Sequence, residues 1–252
     1  MEIGWYGTAS VDIRCESGHI LFDPFVPLAG SEVNVKIEDF DGCTAIFVTH
    51  GHFDHIVNIP EIQKRNPGVH IYCTKTPYNT LAKKGVPEGA LRLIGFGQTI
   101  EAEGFTVRTF HGRHAVLPKA AFDRLLYIKD SPHKGNLPFI LRENSLCPEN
   151  DETVFYLVEQ GGRRVALMGS LNLRDDVDYP AECDAIVLPY NGWKDNLPPA
   201  VKAVERLRPK MIYLDHYDDT FPPLTRPFDI APVLEKYAGR IEALRVGEIR
   251  TV

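Results

Sequence analysis

Thr49-His50-Gly51-His52-Phe53-Asp54-His55 follows directly on Ala45-Ile46-Phe47-Val48, a short apolar run of β-formers. Three imidazoles and one carboxylate crowd into the six residues from His50 to His55, at what reads as the end of a strand. Imidazole nitrogens and carboxylate oxygens are the donors of divalent-metal sites, so the pattern points to a metal centre on a strand-to-loop junction. The i, i+2 spacing of His50 and His52 lets both rings turn to one ion, with Gly51 expected to supply the bend. Asp54 and His55 then follow as ligands for a second, adjacent position. A pair of surface histidines is the bland alternative, but four ligand-type residues in this order after a strand fit it poorly.

The rest of the chain sets the bounds within which such a centre works. Its 252 residues are enough for one sizeable domain with a buried core. Hydrophobic content of 44% and charged content of 25% are ordinary globular values. A net charge of −6 argues against broad electrostatic capture of nucleic acid or of an anionic membrane. The five cysteines (Cys15, Cys43, Cys73, Cys147, Cys183) are scattered and form no C-x-x-C pair, which reads as reduced thiols in a cytoplasmic protein. The start, Met1-Glu2-Ile3-Gly4-Trp5, lacks a basic region followed by an apolar run, so no signal peptide is expected there.

Upstream of the cluster, three β-prone runs, with Ser17-Gly18 as a hairpin signal, end in Leu21-Phe22-Asp23-Pro24. Downstream, Ile56 to Arg65 carries helical spacing, with Pro60 confined to a first turn. Val69–Cys73 reads as a strand with His70 facing outward, and Pro77–Lys84 as a helix stopped by Gly85. Further strands, the last Phe105–Phe110, lead into His111-Gly112-Arg113-His114. From 115 to 150 the pattern loosens: a helix over Ala120–Tyr127, then a Pro- and Gly-containing stretch that suits a lid or pocket wall. The second half resumes with a hairpin, Thr153–Glu159 and Arg163–Met168, ending in Gly169-Ser170-Leu171-Asn172. Asp184–Pro189 is a buried-type strand that releases into Tyr190-Asn191-Gly192-Trp193-Lys194. Pro199–Leu207 reads as a helix, Lys210–Asp215 as a strand delivering His216, and the tail as a helix (Ile230–Ala238) and two short β runs. Tyr190, Trp193 and Lys194 follow a strand that should end near the metals and so are candidate substrate contacts, unless they form an ordinary surface loop.

The cluster resembles the His-x-His-x-Asp-His signature of the metallo-β-lactamase superfamily. The extended pattern of Phe22-Asp23-Pro24, Asp184–Pro189, a Gly-containing loop, Arg208-Pro209-Lys210 and a strand ending in His216-Tyr217 resembles one branch of it. That branch contains L-ascorbate-6-phosphate lactonase and related metal-dependent hydrolases, and the likeness covers nearly the whole chain except 115–150. It implies a single domain over 1–252 with the four-layer αββα sandwich, an α/β fold. It implies that His50, His52 and His114 hold one metal and Asp54, His55 and His216 a second. His111 is the second candidate for the third histidine, or else a substrate contact. Asp23 would orient the cluster from behind, unless it only caps the turn before Pro24.

The implied activity is metal-dependent hydrolysis, a metal-activated hydroxide attacking an ester, lactone or phosphodiester bond of a small or medium-sized substrate. The cations lower the pKa of bound water from 15.7 towards about 7, and Asp54 is the candidate catalytic carboxylate beside it. One position departs from the family pattern: Ser170 stands where a bridging Asp follows a Gly. A hydroxyl leaves two cations without the negative charge between them, so one tight Zn²⁺ (or Mn²⁺) and a second, weaker one are expected, with Asp175, Asp176 or Asp218 as replacement ligands. The alternative is a non-catalytic, degenerate metal- or ligand-binding member of the fold. The expected partner is a small-molecule substrate, without nucleic acid or membrane, and a homo-oligomer is compatible with the sequence. A nuclease is disfavoured by the acidic balance.

Overall fold

The computed structural model describes residues 1–115, 131–193 and 195–252, which form two seven-stranded sheets with helices outside both. The first sheet runs in the order β14 (Ile249–Thr251), β1 (Glu2–Trp5), β2 (Val11–Cys15), β3 (Gly18–Phe22), β4 (Ala45–Phe47), β5 (His70–Cys73) and β6 (Leu91–Leu93). The second runs β13 (Ile241–Ala243), β12 (Met211–Asp215), β11 (Ala185–Pro189), β10 (Arg163–Met168), β9 (Val154–Gln160), β8 (Phe105–His111) and β7 (Thr99–Ala102). Each sheet is half antiparallel and half parallel. In the first, β14 to β3 pair antiparallel and β3 to β6 parallel. In the second, β7 to β10 pair antiparallel and β10 to β13 parallel. The two halves of the chain therefore build the same motif, except that the last strand crosses back to pair with the first.

Period-two alternation sorts side chains between the layers. Phe22, Phe47, Val165 and Val187 face the space between the sheets, where Phe105, Val107 and Tyr156 join them. Their neighbours Leu21 and Ile46 face helices α1 (Phe53–Ile56), α2 (Ile59–Arg65) and α3 (Lys75–Lys83). Ala166, Ile186 and Leu188 pack on the opposite side beneath helices Leu197–Leu207 and Ala231–Lys236. Both faces of each sheet are thus buried, which requires four layers. That is the αββα sandwich.

The helix expected from Ile56 instead begins at Phe53, breaks at Val57-Asn58 and restarts at Ile59 with Pro60 in its first turn. Asp54 and His55 consequently sit on a helical turn. The helix expected over Ala120–Tyr127 lies outside the described residues, as does Lys194. The later part of the 115–150 segment is an integral element of the sandwich. Helix α4 (Leu137–Leu146) buries Ile140 among the side chains beneath the first sheet, and Glu143 pairs with Lys84 at 2.5 Å. Asn136 donates to the carbonyls of Ala29 and Pro222 at 2.9 and 2.8 Å. No helix among the described residues is long and apolar enough to cross a membrane.

Away from the cluster, the buried Asp12 carboxylate accepts from Arg14 Nε at 2.5 Å and faces His19 Nδ1 at 3.1 Å. The Asp12 hydrogen bond raises the His19 pKa against the opposing effect of burial. A group raised on folding stabilises most below its unfolded value, about 6.5, and loses that contribution as pH rises through the folded value. His19→Gln should therefore cost up to about 1 kcal/mol at pH 5.5 and less at pH 8.5, since the ring is one-third exposed. Urea unfolding at the two pH values reads this; an equal loss at both would refute it.

Candidate metal centre

All candidate ligands follow the C-terminal ends of strands that point the same way. Asp23 follows β3 and the His50–His55 stretch follows β4 in the first sheet. His114, Ser170, Asn191 and His216 follow β8, β10, β11 and β12 in the second. Backbone and phenol contacts close the two edges together: Val154 N–H donates to Thr49 O at 2.7 Å, Tyr156 Oη to Val48 O at 2.6 Å, and His216 N–H to Thr8 O at 2.8 Å. Gly51 stands in the bend after β4, as expected, but without a positive φ, so the bend itself does not require glycine. A Cβ there would lie 2.2 Å from Pro148 O, and glycine is needed for that close approach.

One donor atom each from His50, His52 and His114 lie within 4.8 Å of one another, and the same holds for Asp54, His55 and His216. These are the two groupings that the resemblance implied. Behind them Asp23, fully buried, accepts the Thr49 N–H at 2.7 Å and the Thr49 hydroxyl at 2.5 Å. His55 Nδ1 donates to the same carboxylate at 2.7 Å. With its hydrogen committed to Asp23, Thr49 Oγ1 accepts from His50 Nδ1 at 3.0 Å. His114 Nδ1 donates to Ala115 O at 2.7 Å. For His50 and His114 these contacts place the ring hydrogen on Nδ1 and leave Nε2 with a lone pair facing the cluster.

The electrostatics separate the two sets. Burial lowers the pKa of His50, His52 and His114, that of His52 to about 4, and the neighbouring imidazoles reinforce the effect. Three neutral rings converge, with His50 Nε2 only 3.1 Å from His52 Nδ1, so those two nitrogens share either a proton or a cation. This donor set fits a divalent metal. The second set pairs within itself. Burial opposes the charge on Asp54, but His55 and His216 outweigh it and hold the carboxyl well below the usual range. For His55 burial is likewise outweighed, by Asp23 and Asp54, and its pKa rises. His216, at φ +53°, accepts from Asn191 Nδ2 at its Nδ1 (3.0 Å), which leaves the hydrogen on Nε2, 3.5 Å from Asp54 Oδ2.

Other expected site residues are placed elsewhere. Tyr190 is a core side chain: alternation puts it with Ile186 and Leu188 on the helix side of the second sheet. Trp193 Nε1 donates to Leu171 O at 2.8 Å, tying the loop after β11 to the turn after β10. The His111 ring stacks on Phe96 and its Nε2 lies 2.9 Å from Asp151 O, outside both ligand sets. Ser170 Oγ accepts the Ala115 N–H at 3.0 Å. Asp175 and Asp176 are exposed and pair with Lys202 and Arg174, so neither replaces a bridging carboxylate. Asp218 is buried, accepts the Thr8 N–H at 2.8 Å and is pushed up to about 6 by burial. Thr49, Asn172 and Asn191 were not singled out from sequence; only their positions beside strand ends could have drawn attention to them.

Residues 19–217 match the family model described as the beta-lactamase superfamily domain. A UPF0173 metal-dependent hydrolase of Pyrobaculum islandicum is 27% identical over 249 residues, covering 97% of this chain and 93% of that one. Another, of Metallosphaera sedula, is 29% identical over 118 residues, 45% of this chain, and the match spans 50% of that relative's length. Among solved structures, the metallo hydrolase Igni18 of Ignicoccus hospitalis superposes with a TM-score of 0.63 at 19% identity, covering 100% of this chain and 97% of that one. That last likeness concerns the fold alone.

Proposed function

The chain belongs to the beta-lactamase superfamily domain family, and from that premise we propose that it is a metal-dependent hydrolase whose cation, Zn²⁺ or Mn²⁺, is held by His50, His52 and His114. The convergence of three neutral imidazoles beside an ionised carboxylate carries this reading. Relatives matched over nearly their whole length, named as metal-dependent hydrolases, support it. Bound there, a divalent cation supplies Lewis acidity and an acidified water. The chain's own residues supply the rest. Asp54, ionised at neutral pH, orients an attacking water by accepting its hydrogen bond; so low a pKa makes it a weak base. Asp23 and Thr49 keep the histidine lone pairs directed inward. Because Asp54, His55 and His216 already satisfy one another, the second metal is the weaker.

The bond attacked is an ester, lactone or phosphodiester in a small or medium-sized molecule. The net charge of −6 speaks against a nucleic-acid substrate, and five free cysteines, four of them buried, suit the reducing cytoplasm. The test is metal analysis of protein purified without added metal, followed by a panel of the three bond types with and without chelator. Turnover lost on chelation and regained with Zn²⁺ or Mn²⁺ is the expected result. A second reading, a non-catalytic metal-binding protein, draws on Ser170 being engaged by Ala115. A stoichiometric metal with no turnover across the panel would favour it.

A further inference from the structure

The peptide bond between His114 and Ala115 is gripped at both of its polar atoms by one turn of the second sheet. Its carbonyl, His114 O, accepts from Asn172 Nδ2 at 3.1 Å, and its N–H, on Ala115, donates to Ser170 Oγ at 3.0 Å. The turn that carries both side chains is itself fixed. Asn172 N–H donates to Ser170 O at 2.8 Å, Leu173 N–H to Asn172 Oδ1 at 3.0 Å, and Trp193 Nε1 to Leu171 O at 2.8 Å. On the other side Ala115 is buried against Gly192, where a Cβ would come within 2.6 Å of the Ala115 Cβ. The orientation of this one peptide matters because the next carbonyl, Ala115 O, is the acceptor for His114 Nδ1 at 2.7 Å. That contact selects the tautomer and the ring angle that direct His114 Nε2 towards His50 and His52.

We infer that Ser170 and Asn172 are positioning residues for the third histidine of the centre, and that Ser170 acts through the peptide and not as a ligand. The chain of contacts runs from the hydroxyl of Ser170 to the Ala115 N–H, from the fixed peptide to Ala115 O, and from there to the His114 ring. A serine hydroxyl in this role needs no charge. Its contribution, with that of the Asn172 amide, is to hold a loop that follows β8 against a turn that follows β10. The inference rests on the reading that His50, His52 and His114 hold a metal.

The experiment is a competition titration of the metal-free protein with Zn²⁺, together with the visible spectrum of the Co²⁺-loaded protein, on wild type, Ser170→Ala, Ser170→Thr, Asn172→Ala and His52→Ala. Ser170→Ala and Asn172→Ala should each weaken the tight site by about 10- to 100-fold without changing its stoichiometry, the range for partners that orient a ligand. Ser170→Thr keeps the hydroxyl and should restore most of the affinity and the Co²⁺ spectrum. The Ser170→Ala, Asn172→Ala pair should lose less than the product of the single losses, because both side chains hold one peptide. Unchanged Zn²⁺ affinity in Ser170→Ala overturns the inference. So does loss of a second bound metal with the first unaffected, which would make Ser170 a ligand. Should Ser170→Ala not fold, Asn172→Ala reads the same clamp from its other end. Wild-type Zn²⁺ binding by His52→Ala would instead overturn the reading of the three histidines on which the inference stands.

Discussion

His52→Ala should abolish tight binding of a divalent cation and, with it, hydrolysis, while the sandwich stays folded. His52 stands immediately before α1, partly buried, and its Nδ1 lies 3.1 Å from His50 Nε2. Its ring contributes to none of the three hydrophobic clusters. Because burial holds its pKa near 4, the ring is neutral at pH 7 and its removal strands no charge. A metal held there would lose one of three nitrogen donors, which costs more than the roughly 10- to 100-fold typical of removing an outer partner. A Zn²⁺ titration should therefore show at least about a 100-fold loss, with the melting temperature of the metal-free protein within a few degrees of wild type. Retention of wild-type metal content would remove the three-histidine centre from consideration.

Asp23→Ala has the largest expected effect on the fold itself. The Asp23 carboxylate is fully buried and takes three hydrogen bonds, from Thr49 N–H, Thr49 Oγ1 and His55 Nδ1. Its removal leaves a buried histidine whose pKa had been raised by that carboxylate, and two buried donors without an acceptor. Breaking one side of such a pair costs about 3–5 kcal/mol. Backbone strain adds to it, because Asp23 sits at φ +43°, a region Asp and Asn tolerate better than Ala. Asp23→Asn separates the two contributions: it keeps the backbone preference and one amide oxygen for Thr49, so a smaller loss is expected. Chemical unfolding of the metal-free proteins measures both. A loss below about 1 kcal/mol in Asp23→Ala would show that the carboxylate does not hold the cluster.

The candidate centre and its support differ in how far they could be read from the chain. His50, His52, Asp54 and His55 share one loop and helical turn, so their meeting is a local matter of spacing. His114 and His216 each close a strand, and the ends of strands that run the same way in a two-sheet sandwich come to one edge. Residue type and spacing were therefore enough to nominate the His50–His55 cluster, while the six-ligand grouping and the four layers came from the family resemblance. Tyr190 shows where that reasoning stops. Sequence places it beyond a strand, but the alternation of Ile186, Leu188 and Tyr190 carries its ring into the helix-side core.

The local code of the sequence determined most of the strand pattern and the His50–His55 cluster, because each rests on side chains a few residues apart or on a two-residue period, and that cluster carried the resemblance to the family. Tertiary structure alone decided that β14 returns to pair with β1, that α4 packs beneath the first sheet, and that Thr49, Asn172 and Asn191 hydrogen-bond His50, His114 and His216. Those outcomes depend on which strand ends lie side by side. A threonine or asparagine in the sequence does not announce a partner 25 or 58 residues away, as His216 is from Asn191 and His114 from Asn172. Only the closed sandwich supplies the acceptor that turns such a residue from a polar loop position into the support of a metal ligand.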